Sequence, residues 1–207
     1  MLNLDHLVSF KDCTIEGVNI TSFNLIEGDW VYIEGDVKTA HLLYKLLTQQ
    51  LKIGSGQFNI FSQQTDTLIA DQIIDIRKSI SYLPLDLSQA PSDDTIFNHI
   101  GLIKGLKNSE SLTLFNTLKT DLIYGENIVD SAEVKCIFKA LSTIPKILFI
   151  DFSFDNFDEA KVIELLDPIY KYQSKTGLAI ILCSNNKFIK SRYKSRTYFS
   201  TNTSITE

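Results

Sequence analysis

The sequence predicts an α/β fold: a mostly parallel β-sheet with helices on both faces, a β-rich N-terminal region, and a helical insertion at 88–127. Three observations predict it. Short aliphatic runs alternate with helix-length amphipathic segments along most of the 207 residues, the pattern of a sheet built from strand–helix units. Two of the runs, Ile147 to Ile150 and "LAIILC", are apolar throughout, as strands buried on both faces are. Residues 88–127 replace the alternation with helical periodicity and polar interruptions.

Taken in order, "LVSF", "VNITSFNLI" and "WVYIEG" read as strands broken at Gly17 and at Glu27-Gly28-Asp29. Thr39 to Leu51 sets Leu42, Leu43, Leu46 and Leu47 on one helical stripe, and Gly54-Ser55-Gly56 turns the chain into another strand. Within the insertion, "DDTIFNHIGLIKGL" and "SESLTLFNTLKTDLI" read as helices. In the first of them Ile96, Phe97, Ile100 and Ile103 form a stripe fit for a core or for docking. "DSAEVKCIFKALSTIP" begins another helix, with Asp130 as N-cap and Glu133 completing a capping box. Strand "KILFI", helix "DEAKVIELLDPIYKY", a turn at Gly177 and strand "LAIILC" follow. The polar tail "YFSTNTSITE" is expected to fray. The whole chain, 1–207, reads as one domain.

Composition excludes several classes. Twenty Lys and Arg stand against 25 Asp and Glu, for a net charge of −5, so no nucleic-acid surface is indicated. The late cluster Lys187, Lys190, Arg192, Lys194, Arg196 reads as a solvated face. Cys13, Cys136 and Cys183 lack metal-ligand or disulfide spacing, and His6, His41 and His99 lie far apart. No apolar run approaches the length needed to span a bilayer. A cytoplasmic protein is expected.

The order of these pieces resembles the ATP-binding subunit of ABC transporters, a P-loop NTPase. The best-matching stretches are "EGDWVYIEGD" running into "LLYKLLTQQLKIGSGQFNI", then "KALSTIPKILFID" and "DNFDEAKV". The resemblance implies an antiparallel N-terminal β region beside the parallel sheet, with Gly35 and Asp151 on neighbouring strand tips. It also implies a nucleotide site over Gly35, Asp36, Val37, Lys38, Thr39, Ala40 and His41. Two registers are open. Anchored on Lys38-Thr39, the phosphate lysine and magnesium hydroxyl are present, but only two residues separate them from Gly35. Anchored on "LLYKLL", Ala40 stands for the lysine and His41 for the hydroxyl. Either way the Gly-rich cradle of backbone N–H groups is damaged. An ordinary strand-to-helix turn, capped by Asp36, accounts for the same residues.

The other family positions diverge together. Leu85 stands where the Q-loop glutamine would, and Asn127-Ile128-Val129-Asp130-Ser131 where the signature LSGGQ would. Asp151 keeps the Walker B acid that holds magnesium through water, and equally suits a sheet-edge carboxylate bonded to a neighbouring loop. Phe152 replaces the glutamate that orients water, forfeiting a general base worth about 10²- to 10⁴-fold. Asn156 and Asp158 fall in the D-loop, where Asp158 also suits a helix N-terminus. Asn185 takes the switch-histidine position and cannot ionise.

The resemblance therefore implies a cassette that has lost hydrolysis and binds ATP and Mg weakly or not at all, acting through protein contacts. Alternatively, it is a transporter's ATP-binding subunit that binds or hydrolyses ATP in a homo- or heterodimer with an intact ABC-type subunit, or it serves as an interaction module apart from transport. Residues 88–127 would meet a membrane subunit, which would hold the chain at the inner membrane.

Overall fold

The computed structural model describes residues 6–84, 86, 91–122, 130–151, 154–193 and 195–207. Strands β1 (His6–Ile15) and β2 (Val18–Ile26) form a hairpin whose two turn residues, Glu16 and Gly17, both take positive φ, 47° and 84°. That geometry matches the twist of the flanking strands. Strand β3 (Trp30–Gly35) runs into α1 (Val37–Leu47). Then come β4 (Ser55–Ile60), β5 (Gln63–Gln64), α2 (Ala70–Lys78), β6 (Ile80–Leu83), α3 (Asp93–Lys104), α4 (Asn108–Asp121) and α5 (Ala132–Leu141). The chain closes with β7 (Ile147–Asp151), α6 (Glu159–Thr176), β8 (Ala179–Cys183), α7 (Lys187–Arg192), β9 (Arg196–Thr201) and β10 (Ser204–Thr206).

Among the described residues ten strands make one sheet, in the order β5-β4-β1-β2-β10-β9-β3-β8-β7-β6. From β9 to β6 every pairing is parallel, while β1, β2, β4 and β5 pair antiparallel. Gly35 and Asp151 end up on the same edge of the sheet, but not on neighbouring strands. Strand β8 lies between them, its Cys183 opposite both Ile33 and Asp151.

Alternation along the central strands splits the core in two. Trp30, Tyr32, Leu148, Ile150, Ile180 and Leu182 face α5, α6 and the α3–α4 pair. Val31, Ile33, Ile147, Phe149, Ile181 and Cys183 face α1 and the antiparallel region, where Phe10 stacks on Phe58 with centroids 4.1 Å apart. A strand buried on both faces must be apolar at every position, which is why "LAIILC" carries no polar residue.

Several sequence expectations change here. The tail does not fray: β9 and β10 form a hairpin, with β9 parallel to β3 and β10 parallel to β2, joining the two halves of the sheet. Tyr198 and Ile205 are its buried anchors. The helix at α5 is capped by Ser131, whose side chain accepts from the Val134 N–H, rather than by Asp130 one residue earlier. Three members of the late basic cluster are not merely solvated. Lys190 pairs with Glu34, Arg192 with Asp167 and Arg196 with Asp29, while Lys194 lies outside the described residues. In α3 the stripe turns inward, Ile96 and Ile100 being fully buried, while Leu102 of α3 and Leu112 of α4 are exposed.

Candidate functional site

Gly35 ends β3, and a single residue, Asp36, separates it from the first residue of α1. Phosphate cradles of the G-x-x-x-x-G-K-[ST] type require a loop of several residues arching between strand and helix; here the chain passes directly into the helix. Asp36 takes an extended conformation and caps α1, its carboxylate accepting from the Thr39 N–H at 2.8 Å. That bond, first among several, holds the Asp36 carboxyl below its ordinary pKa. The positive end of the helix, where a phosphate would bind, thus carries the chain's own anion.

The turn is pinned from two more sides. The Gly35 N–H donates to Asn185 Oδ1 at 3.0 Å, and Asn185 Nδ2 donates to the Gly35 carbonyl at 3.2 Å. Behind it, the Asp36 N–H donates to the Ser200 carbonyl, and Ser200 Oγ donates to the carbonyls of Glu34 and Asp36. A Cβ at Gly35 would lie 2.0 Å from the Ser200 oxygen, and its φ is +125°. Only glycine fits. The Thr39 hydroxyl is buried and donates to the Thr201 carbonyl at 2.7 Å, so it points to β9 rather than outward. Val37 and Lys38 are exposed and Ala40 is buried.

Asp151, at the end of β7, is 3% exposed. Its Oδ2 lies 3.2 Å from His41 Nδ1 and accepts from the Tyr82 hydroxyl. Its Oδ1 is buried without a hydrogen-bond partner. The second register, which sets His41 in the hydroxyl's place, is the one that brings a residue of α1 to Asp151. Rings pack beside the pair, Tyr44 and Tyr82 lying 4.4 Å apart and Tyr44 and Phe149 5.4 Å, while the His41 side chain stays 42% exposed. Burial raises the pKa of both tyrosines, and at Tyr82 the bond to Asp151 adds to it. Burial also pushes up the neighbouring Cys183 thiol, with Asp151 contributing.

Beyond Asp151, the loop returns through Asp155, which sequence reasoning missed. Its carboxylate accepts from the Ser184 hydroxyl and from the Asn185 N–H at 2.9 Å. It therefore fixes the asparagine that clamps Gly35. Asp158 caps α6 by accepting from the Lys161 N–H, and Asn156 is exposed. Leu85, Phe152 and the signature residues Asn127 to Val129 lie outside the described residues.

The donor set can be tested against Mg²⁺, which demands near-octahedral oxygen coordination. At the β7 tip the described residues offer it one free carboxylate oxygen, on Asp151, while the Thr39 hydroxyl is turned to Thr201. No three His, Cys, Asp or Glu side chains among them gather into a metal cluster. The residues do not fit the ion. A cleft of about 580 Å³ lies between β6, α5 and α3, lined by Arg77, Tyr82, His99 and Lys139 among others. No described helix is long and apolar enough to cross a membrane.

No family model and no curated protein matches the chain. Solved structures do match. The protein cbiO1 from Clostridium perfringens, described as part of the ABC transporter complex cbiONQ, aligns with a TM-score of 0.82 and 16% identity over 98% of this chain and 88% of that one. An ATP-binding subunit of an ABC transporter gives 0.72 and 16% over 96% and 88%. A dimeric ATP-binding cassette in a post-hydrolysis state, bound to ADP and Pi, gives 0.73 and 15% over 96% of each chain. The chain has the fold of an ABC ATP-binding cassette, and at these identities the likeness extends to the fold alone.

Proposed function

We propose that this chain is an ABC-type ATP-binding-subunit-like protein that has lost hydrolysis and acts through protein contacts. The observation that carries the reading is the one-residue connection from Gly35 to α1, with Asp36 seated at the helix N-terminus. A cassette needs an arch of N–H donors and a lysine around the phosphates; this turn spends its donors on Asp36, Asn185 and Ser200. Phe152 and Leu85 in the sequence support the same conclusion, since neither side chain can position water or a metal.

The solved neighbours include a transporter component and a dimeric cassette, which supports partners of those two kinds here: a second ABC-type subunit, alike or different, and a membrane subunit met by residues 88–127. Exposed Leu102 and Leu112 on that region support the second contact. A coupled-enzyme ATPase assay on the purified chain tests the proposal. The expected turnover is below about 0.1 per second, against a typical 1 to 10³ per second, and a faster rate would end the reading.

A further inference from the structure

The fold's nucleotide chemistry needs a divalent cation beside the β7 tip, and the residues there do not supply its coordination sphere. We infer that His41 and Tyr82 take the cation's place as partners of Asp151 Oδ2, so that α1 and β6 are tied to this strand tip without metal or nucleotide. The inference rests on the reading of a non-hydrolytic cassette and adds what has replaced the lost ligands.

A carboxylate 3% exposed must be paired or hydrogen-bonded to stay buried. Asp151 meets that need on one oxygen from two directions, the α1 imidazole at 3.2 Å and the β6 phenol. A cation at this point would tie the same helix and strand to β7; here organic side chains make the tie. The imidazole is held in place by rings on two sides, edge-on to Tyr44 at 6.3 Å and to Tyr82 at 6.0 Å. His41 is a positioning residue on this account: it fixes α1 to the sheet edge through Asp151. Asp36 is the matching replacement for the anion at the start of α1.

Thermal unfolding of the full chain tests this with His41→Ala, Asp151→Asn and the double variant, each with and without millimolar Mg²⁺ or MgATP. The wild-type midpoint should not move with either addition. His41→Ala should lower it by about 4–8 °C, and its loss should shrink by at least half in the Asp151→Asn background. His41→Asn, whose amide nitrogen reaches the Nδ1 position, should recover most of the loss. Equal losses in the two backgrounds would overturn the inference while leaving the non-hydrolytic reading intact. A rise with Mg²⁺ alone that Asp151→Asn abolishes would also overturn it, because the carboxylate would then prefer a metal. A rise that requires MgATP would instead contradict the reading on which the inference rests. If His41→Ala does not fold, Tyr82→Phe in both backgrounds gives the same test: unequal losses support the tie and equal losses refute it.

Discussion

The tips of β3 and β7 both carry an aspartate next to α1, yet the two acids are satisfied in opposite ways. Asp36 sits at the surface and is held by backbone N–H groups of the helix it caps. Asp151 is buried and held by side chains from α1 and β6, with one oxygen left unbonded. The first arrangement depends on the path of the main chain and tolerates any short acceptor; the second depends on two particular side chains and on the rings around them. In this fold the first position would receive phosphate and the second would hold a metal. The difference shows that an acid at a helix start needs only backbone donors, whereas a buried acid needs side chains placed to meet it.

The comparison can be broken at the β3 tip by Gly35→Ala, which has the largest expected effect. The added Cβ would strike the Ser200 carbonyl, so either the turn or β9 must move. A loss of about 4 kcal/mol is expected, read as a fall in the melting midpoint of roughly 8–16 °C. Next comes Asp151→Ala at the β7 tip. It leaves the Tyr82 hydroxyl without its acceptor in a partly apolar setting, while the half-exposed His41 imidazole turns to water, and should cost about 2 kcal/mol, measured by urea titration.

Tyr82→Phe removes one bond to Asp151 and should cost about 1.5 kcal/mol. It also sharpens the contrast through pH. The folded-state pKa of Tyr82 is raised, chiefly by burial, so its contribution is intact below about pH 10, the unfolded value, and is lost as pH rises above that. The phenylalanine variant should therefore show a shallower alkaline loss of stability. Asp36→Ala has the smallest effect, a few degrees in the melting midpoint. Because the folded pKa of Asp36 is depressed, first by the Thr39 N–H, its contribution is full above about pH 4 and is lost as pH falls through the folded value. Removing it should flatten stability against pH only on the acid side.

How much of this was legible in the sequence follows from the kind of signal each part leaves. The central strands announce themselves because burial on both faces forces unbroken aliphatic runs, and α1, α5 and α6 do so through their stripes. The C-terminal hairpin was missed because its inward positions are Tyr198, Ser200 and Ile205 among threonines and serines, too polar for an apolar alternation to stand out. Helix α2 buries Ile76 as its single buried residue, leaving almost no periodicity to read. At the site, the Asp36 cap was readable because an N-cap is a local motif. The meeting of His41 with Asp151, 110 positions apart by their numbers, is a product of topology. So is the insertion of β8 between β3 and β7, since sequence order does not set sheet order. Asp155 left a fainter signal still: nothing about an aspartate after Phe154 announces that it will hold Ser184 and Asn185.

The central claim is that the turn at Gly35 has no seat for a triphosphate, and isothermal titration of the full chain with MgATP measures that directly. The account predicts no saturable heat up to millimolar nucleotide. A micromolar dissociation constant that is lost on replacing Lys38 or Asp151 would contradict it.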